Sequence, residues 1–154
     1  RARIPAAHVL VMGGNNERLK RTLRTEFATD MQISVLDYTN EVSLYLDAAV
    51  LLFTKPGGLS STEAAVKGIP MVHTAPIPGW ESDNAAFFEA LGLSRTGDTP
   101  LLQADQAALL LASPTAMERM RERQRREINP HAAADISALL LERAEADVPG
   151  ERVI

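Results

Sequence analysis

Four short apolar runs, each closed by glycine or a polar turn, constrain this chain more than any other feature. They are residues 8–12 (HVLVM), 33–36 (ISVL), 50–54 (VLLFT) and 69–73 (IPMVH). Apolar runs of this length without alternation suit strands covered on both faces, and the stretches between them are long enough for helical crossovers. Pro70 falls near the beginning of its run, where a missing N–H is tolerated. Repeating this unit predicts an α/β domain, a Rossmann-like parallel sheet with helices on both faces. Helices are expected over 17–27, capped by Asn15 or Asn16, over 42–49, and over 59–67 with Gly68 as the stop. Others are expected over 83–91, ended by Gly92, over 103–112, over 115–126, and from Pro130 to about residue 146. Residues 148–154 are expected to be a flexible tail.

Composition narrows the function classes. The chain has 154 residues, enough for one domain with a real core, and no cysteine. A disulfide scaffold, a thiolate zinc site and a cysteine nucleophile are therefore excluded, and a cytoplasmic setting is the plain expectation. Lys+Arg 16 against Asp+Glu 20 gives a net charge of −4, which carries no nucleic-acid footprint. No apolar run approaches the ~20 residues that span a bilayer. His8, His73 and His131 show no zinc spacing, so no metal or cofactor is expected. His8 and His73 are read as structural and His131 as a surface residue. The arginine-rich segment 119–126 reads as a solvated helix face, with membrane contact as the alternative. Because Arg1 rather than Met comes first, the chain is expected to be a piece of a longer protein.

In sheets of this kind ligands sit beyond the carboxyl ends of the strands, which singles out the loops 13–16, 38–41 and 55–61. The third is the most informative. An apolar strand runs into Lys55-Pro56-Gly57-Gly58 and then into a helix start at Leu59-Ser60-Ser61-Thr62-Glu63. Glycines admit close backbone approach, and free N–H groups at a helix start favour an anion such as phosphate. It is not a Walker loop, since no Gly-Lys-Ser/Thr follows. The alternative is a simple turn with Ser60 as the helix cap.

The stretch from Lys55 to Ala64, followed by Gly68-Ile69-Pro70, resembles the donor-site signature of glycosyltransferase family 28. Pro76-Ile77-Pro78-Gly79-Trp80-Glu81-Ser82-Asp83-Asn84-Ala85 continues the resemblance and looks most like the glycolipid synthases, among them diacylglycerol glucosyltransferase and monogalactosyldiacylglycerol synthase. The peptidoglycan GlcNAc transferase is a more distant member. Gly14-Asn15-Asn16-Glu17-Arg18-Leu19, Leu36-Asp37-Tyr38-Thr39-Asn40 and Asn129-Pro130-His131 fall at the family's spacing. The resemblance implies the carboxy-terminal half of a two-domain GT-B enzyme, with residues 1–147 as a partial nucleotide-sugar domain. It also implies that the domain's first strand and glycine-rich loop lie upstream of Arg1, together with the acceptor domain.

Carried over residue by residue, the resemblance puts the main chain of Thr39 on uracil and the Glu63 carboxylate on the ribose hydroxyls. An ionised carboxylate suits a diol, although a first-turn Glu also favours a helix dipole without any ligand. Gly57, Gly58, Leu59 and Ser60 would face the diphosphate or the sugar beside it. Trp80, Glu81 and Asn84 would meet the transferred sugar, with a helix-capping role as the alternative for Asn84. Trp80 departs from the family's usual Gln: indole offers one N–H donor and a broad apolar face. The implied activity is inverting transfer of a hexose from a UDP-sugar to a lipid such as diacylglycerol, without a bound metal. The catalytic base is expected in the missing domain, so the isolated chain is expected to be inactive. Peripheral contact with the inner face of the cell membrane is part of the same implication. The alternatives are a non-catalytic nucleotide-sugar-binding or regulatory module that kept the fold, or a transferase with another donor or a soluble acceptor.

Overall fold

The computed structural model describes residues 4–146 of the chain. Strands and helices alternate: β1 (Val9–Met12), α1 (Glu17–Glu26), β2 (Ile33–Leu36), α2 (Val42–Ala48), β3 (Leu52–Thr54), α3 (Gly58–Val66), β4 (Met71–His73), α4 (Trp80–Ala90) and β5 (Arg95–Thr96). Three helices follow, α5 (Pro100–Leu111), α6 (Pro114–Glu127) and α7 (Ala132–Ala146). Every strand pair is parallel, as the apolar runs predict. The expected flexible tail lies outside the described residues.

The strands do not form one continuous sheet. β1 pairs with β2, Val9 opposite Ile33, while β3, β4 and β5 form a separate three-stranded sheet in that order. In the second sheet Leu52 stands opposite Met71, and Val72 opposite Arg95. β3 was expected to be covered on both faces, but Phe53 is 48% exposed and Val50, at the start of its run, stays outside the strand. β4 alone is buried throughout. β5 was not expected, since Arg95-Thr96 carries no apolar signal.

The helix starts show how local chemistry sets boundaries. Asn16 caps α1, its side chain accepting from the Leu19 N–H at 3.0 Å. Thr99 and Ser113 cap α5 and α6, each with proline in the first turn. Those two helices therefore begin earlier than hydrophobic spacing alone predicts. α4 starts at Trp80 rather than 83, because Gly79 turns the chain at φ +112° and places Trp80 and Glu81 in the first turn.

Among the described residues the core lies in the second part of the chain. Leu46, Ala64, Ala65, Ile69, Met71, Phe88 and Leu93 form one cluster. Val72, Ala107, Leu110, Met117 and Met120 form another on the opposite side of β4. Between the clusters, α6 is tied to the sheet by Gln124, whose Nε2 donates to the Ile69 and Leu93 carbonyls at 2.9 Å each.

Candidate functional site

The loop after β3 is the best-defined of the three expected sites. Pro56 is buried, and Gly57 ends the loop in extended backbone and caps α3 without any side-chain hydrogen bond. Ser60 is thus not the cap; it lies inside the first turn, and the helix begins at Gly58. The Ser61 N–H is the first to bond within the turn, to the Gly57 carbonyl at 3.0 Å. The N–H groups of Gly58, Leu59 and Ser60 precede it and find no acceptor among the described residues. Their side chains do not shield them: Leu59 is 90% exposed, and Gly57 and Gly58 have none.

Two contacts from α4 fix this loop. Asn84 Nδ2 donates to the Pro56 carbonyl at 3.0 Å. Lys55 Nζ pairs with Glu81 Oε1 at 2.8 Å, while Glu81 Oε2 accepts from the Ile77 N–H at 3.0 Å. Glu81 is only 4% exposed, and hydrogen bonds from Lys55 and Ile77 hold its carboxyl below the usual range despite that burial. Asn84 sits in the interior of α4, so its capping alternative falls away. Lys55 was not singled out in the sequence; the signal available was a lone cation directly before Pro-Gly-Gly.

A third tie comes from below. His73, at the end of β4, is fully buried, with Nε2 3.0 Å from Ser61 Oγ and Nδ1 3.2 Å from Ser94 Oγ. Phe88 meets its ring edge-on at 5.5 Å between centroids. Burial pushes the imidazole pKa down to about 4, so it is neutral at physiological pH. The structural role expected of His73 is the one observed, and through Ser61 it holds the first turn of α3 against the sheet.

The remaining expected residues make no hydrogen bond to this loop. Glu63 is exposed on α3 and its carboxylate has no partner among the described residues. Trp80 is 82% exposed at the start of α4, which is not the environment of a residue packing its own loop. Thr39 is half-buried, its Oγ1 accepting from the Glu41 N–H at 3.0 Å. The turn carrying it is anchored by Asp37, which pairs with Arg24 at 2.8 Å and Lys20 at 3.4 Å. Both cations hold the Asp37 carboxyl below its ordinary range. Among the described residues no group of acids and histidines is placed to hold a metal.

Relatives sharpen what this arrangement belongs to. The processive diacylglycerol beta-glucosyltransferase of Staphylococcus saprophyticus is 37% identical over 120 residues, 78% of this chain and 31% of that protein. The enzyme of the same name in Staphylococcus aureus strain Newman is 35% identical over 109 residues, 71% of this chain and 27% of its own. The chain is a homologue of the family 28 diacylglycerol glucosyltransferases. It spans less than a third of their length. No family model matches it. Among solved structures, a glycotransferase of kitacinnamycin aligns with TM-score 0.57 and 22% identity over 89% of this chain and 43% of that one. The Streptomyces sp. SF2575 glycosyltransferase SsfS6, complexed with thymidine diphosphate, aligns with TM-score 0.57 and 15% identity over 88% and 41%. These likenesses show the fold: the Rossmann-like half of a GT-B glycosyltransferase.

Proposed function

We propose that this chain is the donor-binding part of an inverting glycosyltransferase that moves a hexose from a UDP-sugar to a lipid acceptor such as diacylglycerol. The observation that carries this reading is the row of acceptor-free N–H groups at Gly58, Leu59 and Ser60, fixed from two sides beyond the end of β3. As the bond to the sugar breaks, charge develops on the departing diphosphate. Fixed amide donors and the positive end of α3 stabilise that charge without reorganising. Glu63 takes the ribose diol and the main chain of Thr39 the uracil. Trp80, Glu81 and Asn84 border the hexose, with Lys55 orienting Glu81.

The domain is partial on this reading. β1 and β3 each keep an unpaired edge, and doubly wound sheets place their first strand between the second and the fourth. One further parallel strand, its glycine-rich turn and the acceptor domain with the catalytic base belong outside the described residues. The chain alone would transfer no sugar. No helix among the described residues is long and apolar enough to cross a membrane. On this proposal a lipid acceptor would be met by peripheral contact at the inner face of the membrane.

Glu63→Gln in the full-length protein is expected to weaken UDP binding by about 1.5–3 kcal/mol while leaving free uracil unaffected, measured by calorimetry on both ligands. Equal losses for both, or none, would remove Glu63 from the ribose. Trp80→Gln is expected to change the ratio of kcat/KM among UDP-hexoses at constant UDP affinity, because an amide both donates to and accepts from a hydroxyl. A full-length protein that binds UDP-sugars yet transfers none to any acceptor would instead be a non-catalytic module.

A further inference from the structure

At the amino-terminal end of β5, away from the loops after β3 and β4, a cavity of about 340 Å³ opens between α6 and the turn that leads into β5. Arg119 and Arg123, one helical turn apart on α6, line one wall together with Met120. Glu89, Ser94 and Arg95 line the other.

The three arginines are unlike their neighbours. Arg121 reaches the Gly68 carbonyl, Arg125 pairs with Glu118 at 2.7 Å, and Arg126 pairs with Glu127 at 2.7 Å. Arg95, Arg119 and Arg123 make no ion pair or side-chain hydrogen bond among the described residues. The one acid in the wall, Glu89, accepts from Thr96 Oγ1 at 2.7 Å and pairs with none of them. Like charges one turn apart on a helix repel, and a third cation facing them adds to that repulsion.

Gly92 contributes to the geometry. A Cβ there would collide with Arg123 Nη1, so this guanidinium rests against bare backbone. Guanidinium groups lining one concave surface can match the oxygens of a phosphate, and a bound anion would relieve their mutual repulsion.

We propose that this cavity is an anion site for a phosphate group, carried by a phospholipid headgroup or by a soluble phosphate. It is separate from the donor loop and does not depend on the function proposed for that loop. The test uses the full-length protein. One arm titrates inorganic phosphate and glycerol phosphate by calorimetry. The other measures cosedimentation with phosphatidylcholine vesicles, with and without phosphatidylglycerol. Arg119→Gln/Arg123→Gln, and separately Arg95→Gln, should weaken the interaction about tenfold or more. Arg126→Gln, which removes the same charge outside the cavity, should change it less than about twofold. An unchanged melting temperature shows that each variant is folded. Retention on phosphatidylglycerol vesicles that phosphate competes away identifies the headgroup as the source, while binding in the soluble arm alone identifies a soluble phosphate. Binding in neither arm, or an equal loss in Arg126→Gln, overturns the proposal.

Discussion

The amino-terminal unit, β1–α1–β2, and the part of the chain from α2 onward are built from similar strands and helices, yet only the second is packed. Among the described residues every buried apolar one lies at or beyond Leu46. Before it, the one buried side chain among the described residues is Lys20, and β1 and β2 carry only half-buried and exposed positions, with Leu10 38% and Met12 41% exposed. Apolar patterning makes strands pair in both regions, but burial needs a second layer on each face, and β4 alone has one on both sides. The difference teaches that the first unit presents surface to cover, in keeping with the further strand proposed between β1 and β3.

The largest expected contrast is in core truncation. Leu93→Ala removes a fully buried side chain from a closed cluster and is expected to cost about 2–5 kcal/mol. Val11→Ala, half-buried in β1, is expected to cost about 1 kcal/mol or less. Urea unfolding of both variants measures the contrast. Comparable losses would mean that β1 is as well covered as the second region.

A smaller effect follows from His73. Its folded pKa, near 4, lies below the ordinary 6.5, so folding favours the neutral ring. The resulting stability is fully present above pH 6.5, is lost as pH falls toward 4, and declines no further below that through this group. Amide protection factors, corrected for the intrinsic pH dependence of exchange, should fall in β4 and the first turn of α3 across that window, while those of β1 and β2 stay unchanged. His73→Asn should abolish the pH dependence at the price of lower stability at neutral pH. An equal response in both regions would assign the effect to general acid unfolding.

The smallest effect is expected at Lys20. Its stem fills the space beside Gly13, where a Cβ would lie 2.6 Å from Lys20 Cγ, and its ammonium meets Glu17 at 2.6 Å. Glu17, and after it Asp37, raise its pKa. Lys20→Met keeps the stem and removes the charge. Amide exchange in the turn after β2, which Asp37 anchors, should rise modestly with no change in the melting temperature. A fall in melting temperature would show that the first unit unfolds together with the second.

Much of the fold was legible because it rests on short-range chemistry. Apolar runs marked four of the strands, Asn16 marked a cap, and Gly68 and Gly92, both with φ +68°, marked two helix ends. The loop after β3 was legible for a similar reason: glycines before a helix start leave N–H groups that no helix can use. Two boundaries were missed where a distant partner intervenes. β5 exists because β4 offers it an edge, and α4 starts early because Gly79 turns the chain while Glu81 reaches Ile77 and Lys55.

The sequence by itself determined the parallel α/β class, the residue types at the loop after β3, and the tryptophan at position 80 that departs from the resembled family's usual Gln. Tertiary structure alone decided which polar atoms remain available. Asn84 is engaged by the Pro56 carbonyl, both Glu81 oxygens by Lys55 and Ile77, and His73, kept neutral by burial, lies between two serines, whereas Glu63 has no partner among the described residues. Their partners stand 12 to 28 residues away, save for Ile77. Hydrogen bonds across such separations depend on how helices dock against β3 and β4, and helix docking is set by the packing of Ala64, Ala65, Met71 and Phe88 rather than by any local pattern.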